Sequence, residues 1–323
     1  MKELEKTDIL SEILATKRRE LAERAGTHAG ESGLRAIPLG GAQGVKGRRC
    51  RSLRQALLGS EAGIIAEFKR KSPSKGWIHA DALPEQVVPA YAAAGAAAVS
   101  ILTDESYFGG SLEFIRRVRP LVDLPILRKD FIIDPVQLVE ARWAGADAVL
   151  LIAACLSRSD CAALLAEAHR LGLEVLLEIH SAEELEYVSS DVDVVGVNNR
   201  HLGSFVTDVQ TSFELAPQLA MRADRNYFSD PEKPIPAPPS TTPSHAAGPS
   251  KRSAAGGPGG TPPGLSGTGR MPATPVFVSE SGISDPATVR SLREAGFRGF
   301  LMGEHFMKHA DPGAALSDFI QAL

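Results

Sequence analysis

Ile64-Ile65-Ala66-Glu67-Phe68-Lys69-Arg70-Lys71-Ser72-Pro73-Ser74-Lys75-Gly76 decides how the whole chain is read. The segment opens as a short apolar strand and closes in a Ser/Pro/Gly turn. Glu67 and Lys69 stand two apart, so on a strand they share a face. A core strand carries opposite charges side by side only when they are paired or used. Ser72, Pro73 and Ser74 then bring hydroxyls and backbone N–H groups to the strand end, where an anion can be held. Taken alone, the segment fits equally well an ion pair followed by an ordinary turn.

Outward from this strand a unit repeats. A helical pattern closes in Gly, and a short apolar strand follows at once. Ala94-Gly95 leads to Ala97–Leu102, Ala144-Gly145 to Asp147–Ile152, Leu171-Gly172 to Glu174–Glu178, and Ala295-Gly296 to Phe297–Met302. Gly in that place closes a helix in the left-handed conformation. Leu124–Arg128, Asp193–Val197 and Val276–Ser279 complete a set of eight with the first strand. Continuous Val/Ile/Leu strands alternating with amphipathic helices imply a parallel sheet covered by helices. Eight such units in this length favour an α/β closed barrel, the (β/α)8 TIM barrel. An open doubly wound sheet would place Gly-x-Gly-x-x-Gly after its first strand, and that turn is absent.

The chain is read as one barrel domain, 1–323, with an N-terminal helical extension over 1–59. Asp8 to about Arg24 is amphipathic, with Ile9, Ile13, Leu14 and Leu21 on one face and Lys17, Arg18 and Arg19 off it. A Gly-dotted stretch, Gly26–Gly47, precedes a short helix at Arg51–Leu58. Residues 222–274 are rich in Pro, Gly, Ser and Thr and hold half of the chain's 22 Pro. With almost nothing apolar to bury, they read as a disordered insertion between the sixth barrel helix and the seventh strand.

At 43% hydrophobic and 23% charged residues the composition is that of a globular protein. A net charge of −4 gives no basic balance for nucleic acid or for an anionic membrane, and no apolar run reaches spanning length. Three Cys without metal spacing point to reduced thiols and a cytoplasmic setting. The N-terminus mixes Glu, Lys and Asp and does not read as a secretory signal. No metal is expected. His305 and His309 stand i, i+4 but lack a third ligand, and His180 and His201 have no partner pattern.

Barrels of this kind collect chemistry at the C-terminal strand ends. Those ends carry Glu67 and Lys69, then Arg128, Lys129 and Asp130, then Glu178, Asn198, Asn199, Arg200, Glu280, Ser281, Gly282, Gly303 and Glu304. Alternation turns Glu67, Lys69, Glu178, Asn198 and Glu280 into the lumen. Charges of both signs converging on one rim are costly unless they pair with each other or with a substrate. The Gly-containing turns after strands seven and eight, each followed by a helix start, suit a phosphate.

With these residues assembled, the chain resembles the indole-3-glycerol-phosphate synthase family. Ile65–Gly76 carries the strongest likeness. Leu127–Ile132, Leu177–Ile179, Gly196–Arg200 and Val278–Ile283 follow in order at compatible spacing. The likeness spans about residues 5–25 and 50–323, the insertion apart. It implies a carboxy-lyase of tryptophan biosynthesis that uses no cofactor. The implied substrate is a phosphorylated small molecule, an anthranilate ring on an open ribulose phosphate. It is closed to indole-3-glycerol phosphate with loss of carbon dioxide and water. The likeness implies Lys129 as general acid, with burial or neighbouring cations lowering its pKa. Glu178, Glu67 and Lys69 are implied in dehydration, and Asn198, Arg200, Glu280 and Ser281 in positioning. Phe108, Phe131 and Leu150 are implied as the ring slot. Ser72, Ser281, Gly282, Gly303 and Glu304 are implied around the phosphate. Other tryptophan-pathway enzymes are the partners implied. Three alternatives stay open at this point: an isomerase on the same scaffold, a Schiff-base aldolase using Lys69 or Lys129, and a barrel that only binds phosphate.

Overall fold

The computed structural model describes residues 9–27, 48–201, 206–223 and 274–323. Most of the predicted insertion and the Gly-dotted stretch lie outside them. Eight parallel strands close into a barrel: β1 (Ile64–Phe68), β2 (Ala98–Leu102), β3 (Ile126–Lys129), β4 (Ala148–Ile152), β5 (Glu174–Ile179), β6 (Val194–Asn198), β7 (Val276–Glu280) and β8 (Gly299–Met302). Closure is made by β1 pairing with both β2 and β8, through Ile65↔Ala98 and Ile64↔Phe300.

Side-chain parity divides the apolar residues between two cores. Ile64, Ala66 and Phe68 point outward and pack under the helices. Ile65 points inward with Leu127, Leu150, Leu176, Val194, Val278 and Leu301. Each such buried aliphatic side chain contributes about 1.5–3 kcal/mol over exposure. Continuing the inward parity up the strands, by one step or on β6 by two through Gly196, brings Glu67, Lys129, Glu178, Asn198 and Glu280 to the upper rim of the same lumen. The site is therefore the top layer of the inner core, with apolar residues replaced by charged ones.

The helices longer than a single turn among the described residues are α1 (Ile9–Thr27), α2 (Leu53–Gly59), α3 (Pro84–Ala93), α4 (Leu112–Val118), α5 (Pro135–Ala144), α6 (Arg158–Arg170), α7 (Gln210–Ala223), α8 (Pro286–Glu294) and α9 (Pro312–Gln321). The connection from β5 to β6 is a five-residue 3₁₀ turn, Glu183–Tyr187, where the repeat predicts an α-helix. It has too few apolar residues for a longer amphipathic face; Leu185 is its one buried residue. α7 runs through Ala223, so the predicted insertion's first two residues belong to a helix.

α2 plugs the lower end of the barrel with Leu53 and Leu57, both buried in the inner core. Ser52 caps its N-terminus and donates to Glu174 Oε1 at 2.6 Å, while the Arg54 N–H donates to Glu174 Oε2 at 2.8 Å. Nearby, buried Asp147 accepts from Arg48 and Arg119 and from the backbone of Arg51 and Ile126. The bottom is thus closed by charges that pair with one another, and among the described residues a cavity lies at the top.

Candidate active site

β1 ends in Glu67 and runs into Lys69, whose ammonium lies 2.8 Å from Glu67 Oε1. The Ser/Pro/Gly turn that follows is a small antiparallel hairpin, Lys71–Ser72 against Gly76–Trp77. Lys71 Nζ donates to Ser106 O, and the Arg70 guanidinium donates to Gly109 O, which ties the hairpin to the loop after β2. Ser72 Oγ is buried and has no partner among the described residues.

Glu67, Lys69 and Ser72 line a cavity of about 490 Å³ at the C-terminal mouth. Of the site residues predicted from sequence, Glu67, Lys69, Ser72, Phe108, Lys129, Phe131, Leu150, Glu178, Asn198, Arg200, Ser281, Gly282, Gly303 and Glu304 all line it. Glu280 does not. It sits behind Lys129, almost fully buried, and reaches the cavity only through that ammonium.

Lys129 Nζ donates to Glu280 Oε2 at 2.9 Å and to Glu178 Oε2 at 3.2 Å. The expectation of a lowered Lys129 pKa is corrected here. Burial does act in that direction, but Glu280, Glu178 and Glu67 together hold the ammonium well above its ordinary value. The two carboxylates flanking it respond in opposite directions. Burial pushes Glu178 up, yet Lys129 first, then His180 and Asn198, bring it well below the usual carboxylate range. Burial also pushes Glu280 up, and with Lys129 as its main support and Glu178 repelling it, it rises to about 7. The difference lies in the partners. Asn198 Nδ2 donates to Glu178 Oε1 at 3.1 Å, whereas Glu280 Oε1 is buried without a hydrogen bond.

His180 was given no role by its sequence pattern, and the structure corrects this. Its Nε2 lies 3.3 Å from Glu178 Oε1 and its Nδ1 lies 3.5 Å from Glu184 Oε2. Burial disfavours the imidazolium, but these two carboxylates push it up to about 10. The signal was available: Glu178 and His180 share the same parity that joins Glu67 to Lys69.

At the other end of the cavity, Ser281 and Gly282 both take the left-handed conformation, with φ of 66° and 77°. Ser281 is the one non-Gly residue with positive φ among the described residues. Both residues line the cavity, and this left-handed turn brings their backbone to its wall as a hollow after the strand. After β7 this hollow stands where the sequence suggests a helix start, since α8 begins only at Pro286. Asn199 holds the hollow in place. Its Nδ2 donates to Ser281 O and Ser279 Oγ, and its Oδ1 accepts from Ser212. Arg200 Nη1 donates to Ser74 Oγ at 3.1 Å, linking the β1 and β6 loops.

Phe108 and Phe131 face each other with ring centroids 6.1 Å apart, beside Leu150. Ile9, Leu10 and Ile13 of α1 also line this cavity, a contribution that the sequence did not assign. His305 packs on Phe306 and Phe319, and its ring centroid is 6.1 Å from that of His309. Among the described residues no group of three His, Cys, Asp or Glu is placed to hold a metal.

The indole-3-glycerol phosphate synthase family model matches residues 10–229 and 268–319, on both sides of the predicted insertion. The chain belongs to this family. A Bacteroides thetaiotaomicron protein named indole-3-glycerol phosphate synthase is 48% identical over 319 residues, covering 98% of this chain and 99% of that one. One from Azoarcus sp. strain BH72 is 37% identical over 317 residues, covering 96% and 98%. Among solved structures, tryptophan synthase subunit alpha from Legionella pneumophila str. Paris superposes with a TM-score of 0.52 at 12% identity, covering 84% of this chain and 97% of that one. That likeness shows the barrel alone. The charged layer of this chain rests on close packing. A Cβ on Gly196 of β6 would collide with Glu280 Oε1 and with Leu176. Gly196→Ala is therefore expected to displace Glu280 from Lys129 and lower kcat by about ten- to a hundredfold. Steady-state kinetics beside a thermal melt would separate this from unfolding.

Proposed function

We propose that this chain closes a carboxyphenylamino-deoxyribulose phosphate to indole-3-glycerol phosphate, with Lys129 as the acid of the first step. The observation that carries this is the Lys129 ammonium, held protonated between Glu178 and Glu280 at the floor of a cavity. One end of that cavity is aromatic, and the backbone turn of Ser281 and Gly282 lines another part of it.

In this reading the phosphate lies against Ser72, Ser281, Gly282, Gly303 and Glu304, the last two through backbone N–H groups. The unpartnered Ser72 hydroxyl supports that end. The anthranilate ring lies between Phe108, Phe131 and Leu150. The ring carbon bearing the carboxylate attacks the ketone carbon, and the forming alkoxide takes a proton from Lys129. Loss of carbon dioxide leaves its bonding electrons in the ring and restores aromaticity. The hydroxyl then departs as water, and the carbon next to nitrogen gives up a proton. Glu178, the carboxylate with most partners, takes that proton. Lys69, set by Glu67, faces the leaving hydroxyl, and Asn198 and Arg200 orient the chain. Glu280 acts by holding Lys129.

The same ion pairing argues against a Schiff-base aldolase, whose lysine must be available as a neutral amine. No Cys lines the cavity to serve as an isomerase acid. Among the described residues no helix is long and apolar enough to cross a membrane. A cytoplasmic setting beside other tryptophan-pathway enzymes goes with this reading. The test is direct: the full-length chain incubated with the carboxyphenylamino-deoxyribulose phosphate should generate indole fluorescence with turnover. Unchanged substrate would overturn the proposal.

A further inference from the structure

Lys17 takes no part in the chemistry above, and its sequence context placed it off the apolar face of α1. The structure buries it. Only 6% of its side chain is exposed, and its ammonium lies 2.8 Å from Asp104, 3.2 Å from Asp130 and 3.0 Å from Glu20. It continues the stripe of Ile9 and Ile13 at i, i+4 spacing, on the face turned to the barrel.

The two acids on the barrel side each hold one wall of the ring slot. Asp104 Oδ1 accepts from the Tyr107 N–H and caps the single turn Glu105–Phe108 that carries Phe108. Asp130 Oδ1 accepts from the Phe131 N–H at 2.9 Å, and its Oδ2 accepts from Thr103 Oγ1 and Arg128. Thr16 Oγ1 also hydrogen-bonds the Tyr107 hydroxyl, and three further ties between α1 and the barrel are exposed. The Tyr107 hydroxyl donates to Glu12, Ser106 Oγ donates to Glu20, and Arg24 pairs with Glu140.

We propose that Lys17 is a positioning residue: from α1 it clamps Asp104 and Asp130, sets the gap between Phe108 and Phe131, and seats Ile9, Leu10 and Ile13 over the ring. The inference rests on the reading of that slot as the site of the substrate's aromatic ring. Without the ammonium, Asp104 and Asp130 are buried carboxylates with Arg128 alone to balance them. They repel each other, draw water beneath α1 and open the slot. The phosphate hollow, on other loops, is untouched.

Lys17→Met is expected to raise KM about tenfold with kcat within about threefold. Affinity for inorganic phosphate should stay unchanged, and anthranilate, titrated by its own fluorescence, should bind more weakly in step with KM. Lys17→Arg, which restores the charge, should recover most of the loss. Asp104→Asn keeps the cap on Tyr107 but removes the charge facing Lys17, so it should shift KM in the same direction. It also serves where Lys17→Met fails to fold. KM within twofold of wild type in both variants overturns the inference, as does a phosphate affinity that falls in parallel. A wild-type chain without synthase turnover would overturn the proposed function instead. The anthranilate titration would then still decide the role of Lys17, with unchanged affinity overturning it.

Discussion

Replacing Lys129 with alanine is expected to lower kcat by about a thousandfold or more, which corresponds to ~4 kcal/mol of transition-state stabilisation. Two losses combine. On the proposed chemistry, the alkoxide formed on ring closure no longer meets a proton donor, and Glu67, Glu178 and Glu280 lose the cation they share. These carboxylates are all nearly inaccessible to solvent. Deprived of Lys129, at least one takes up a proton, Glu280 first because it is already raised to about 7. That protonation relieves the repulsion, so the barrel should still fold and inorganic phosphate should still bind at the opposite end of the cavity. Lys129→Arg should restore the charge without restoring the rate, because a planar, longer guanidinium cannot place an N–H where the compact ammonium sits between Glu178 and Glu280. The measurement is kcat at saturating substrate, with phosphate affinity as the control for folding. An alanine variant within tenfold of wild type would remove Lys129 from the chemistry.

The barrel was legible because parallel strands are buried on both faces. Such strands read as unbroken Val/Ile/Leu runs, and the Gly residues before β2, β4, β5 and β8 do take positive φ at the helix ends. Much of the charged layer was legible for a related reason. Strand parity is exact, so one inward-facing apolar residue fixes the direction of the charge two positions on. What escaped depends on contacts between elements far apart in the chain. Spacing alone puts Lys17 in line with Ile9 and Ile13, but nothing local shows what balances a buried charge there, because Asp104 and Asp130 sit on the loops after β2 and β3. The direction of the Lys129 shift escaped similarly. A lysine at a strand end says nothing of the three carboxylates that other strands bring beside it. The β5–β6 turn was missed because the repeat was extended through a segment too poor in apolar residues to sustain an α-helix.

Glu178 and Glu280 provide the sharpest test of how the layer divides its work, because they flank the same ammonium yet differ in support. Glu178 is held as an anion by Lys129, His180 and Asn198, so it is a formed base at neutral pH. Glu178→Gln keeps the shape and removes the basicity, and it should lower kcat by about a hundred- to ten-thousandfold at every pH where the enzyme works. Glu280 is the opposite case. Near its value of about 7 it is partly neutral already, and glutamine imitates that neutral form. Glu280→Gln should therefore cost little on the acid side of 7. The cost should grow as pH rises, where wild-type Glu280 ionises and tightens its hold on Lys129. The wild-type-to-variant kcat ratio should thus stay flat and large for Glu178→Gln and climb with pH for Glu280→Gln. A flat, large ratio for Glu280→Gln beside a small one for Glu178→Gln would exchange the two roles and make Glu280 the proton acceptor.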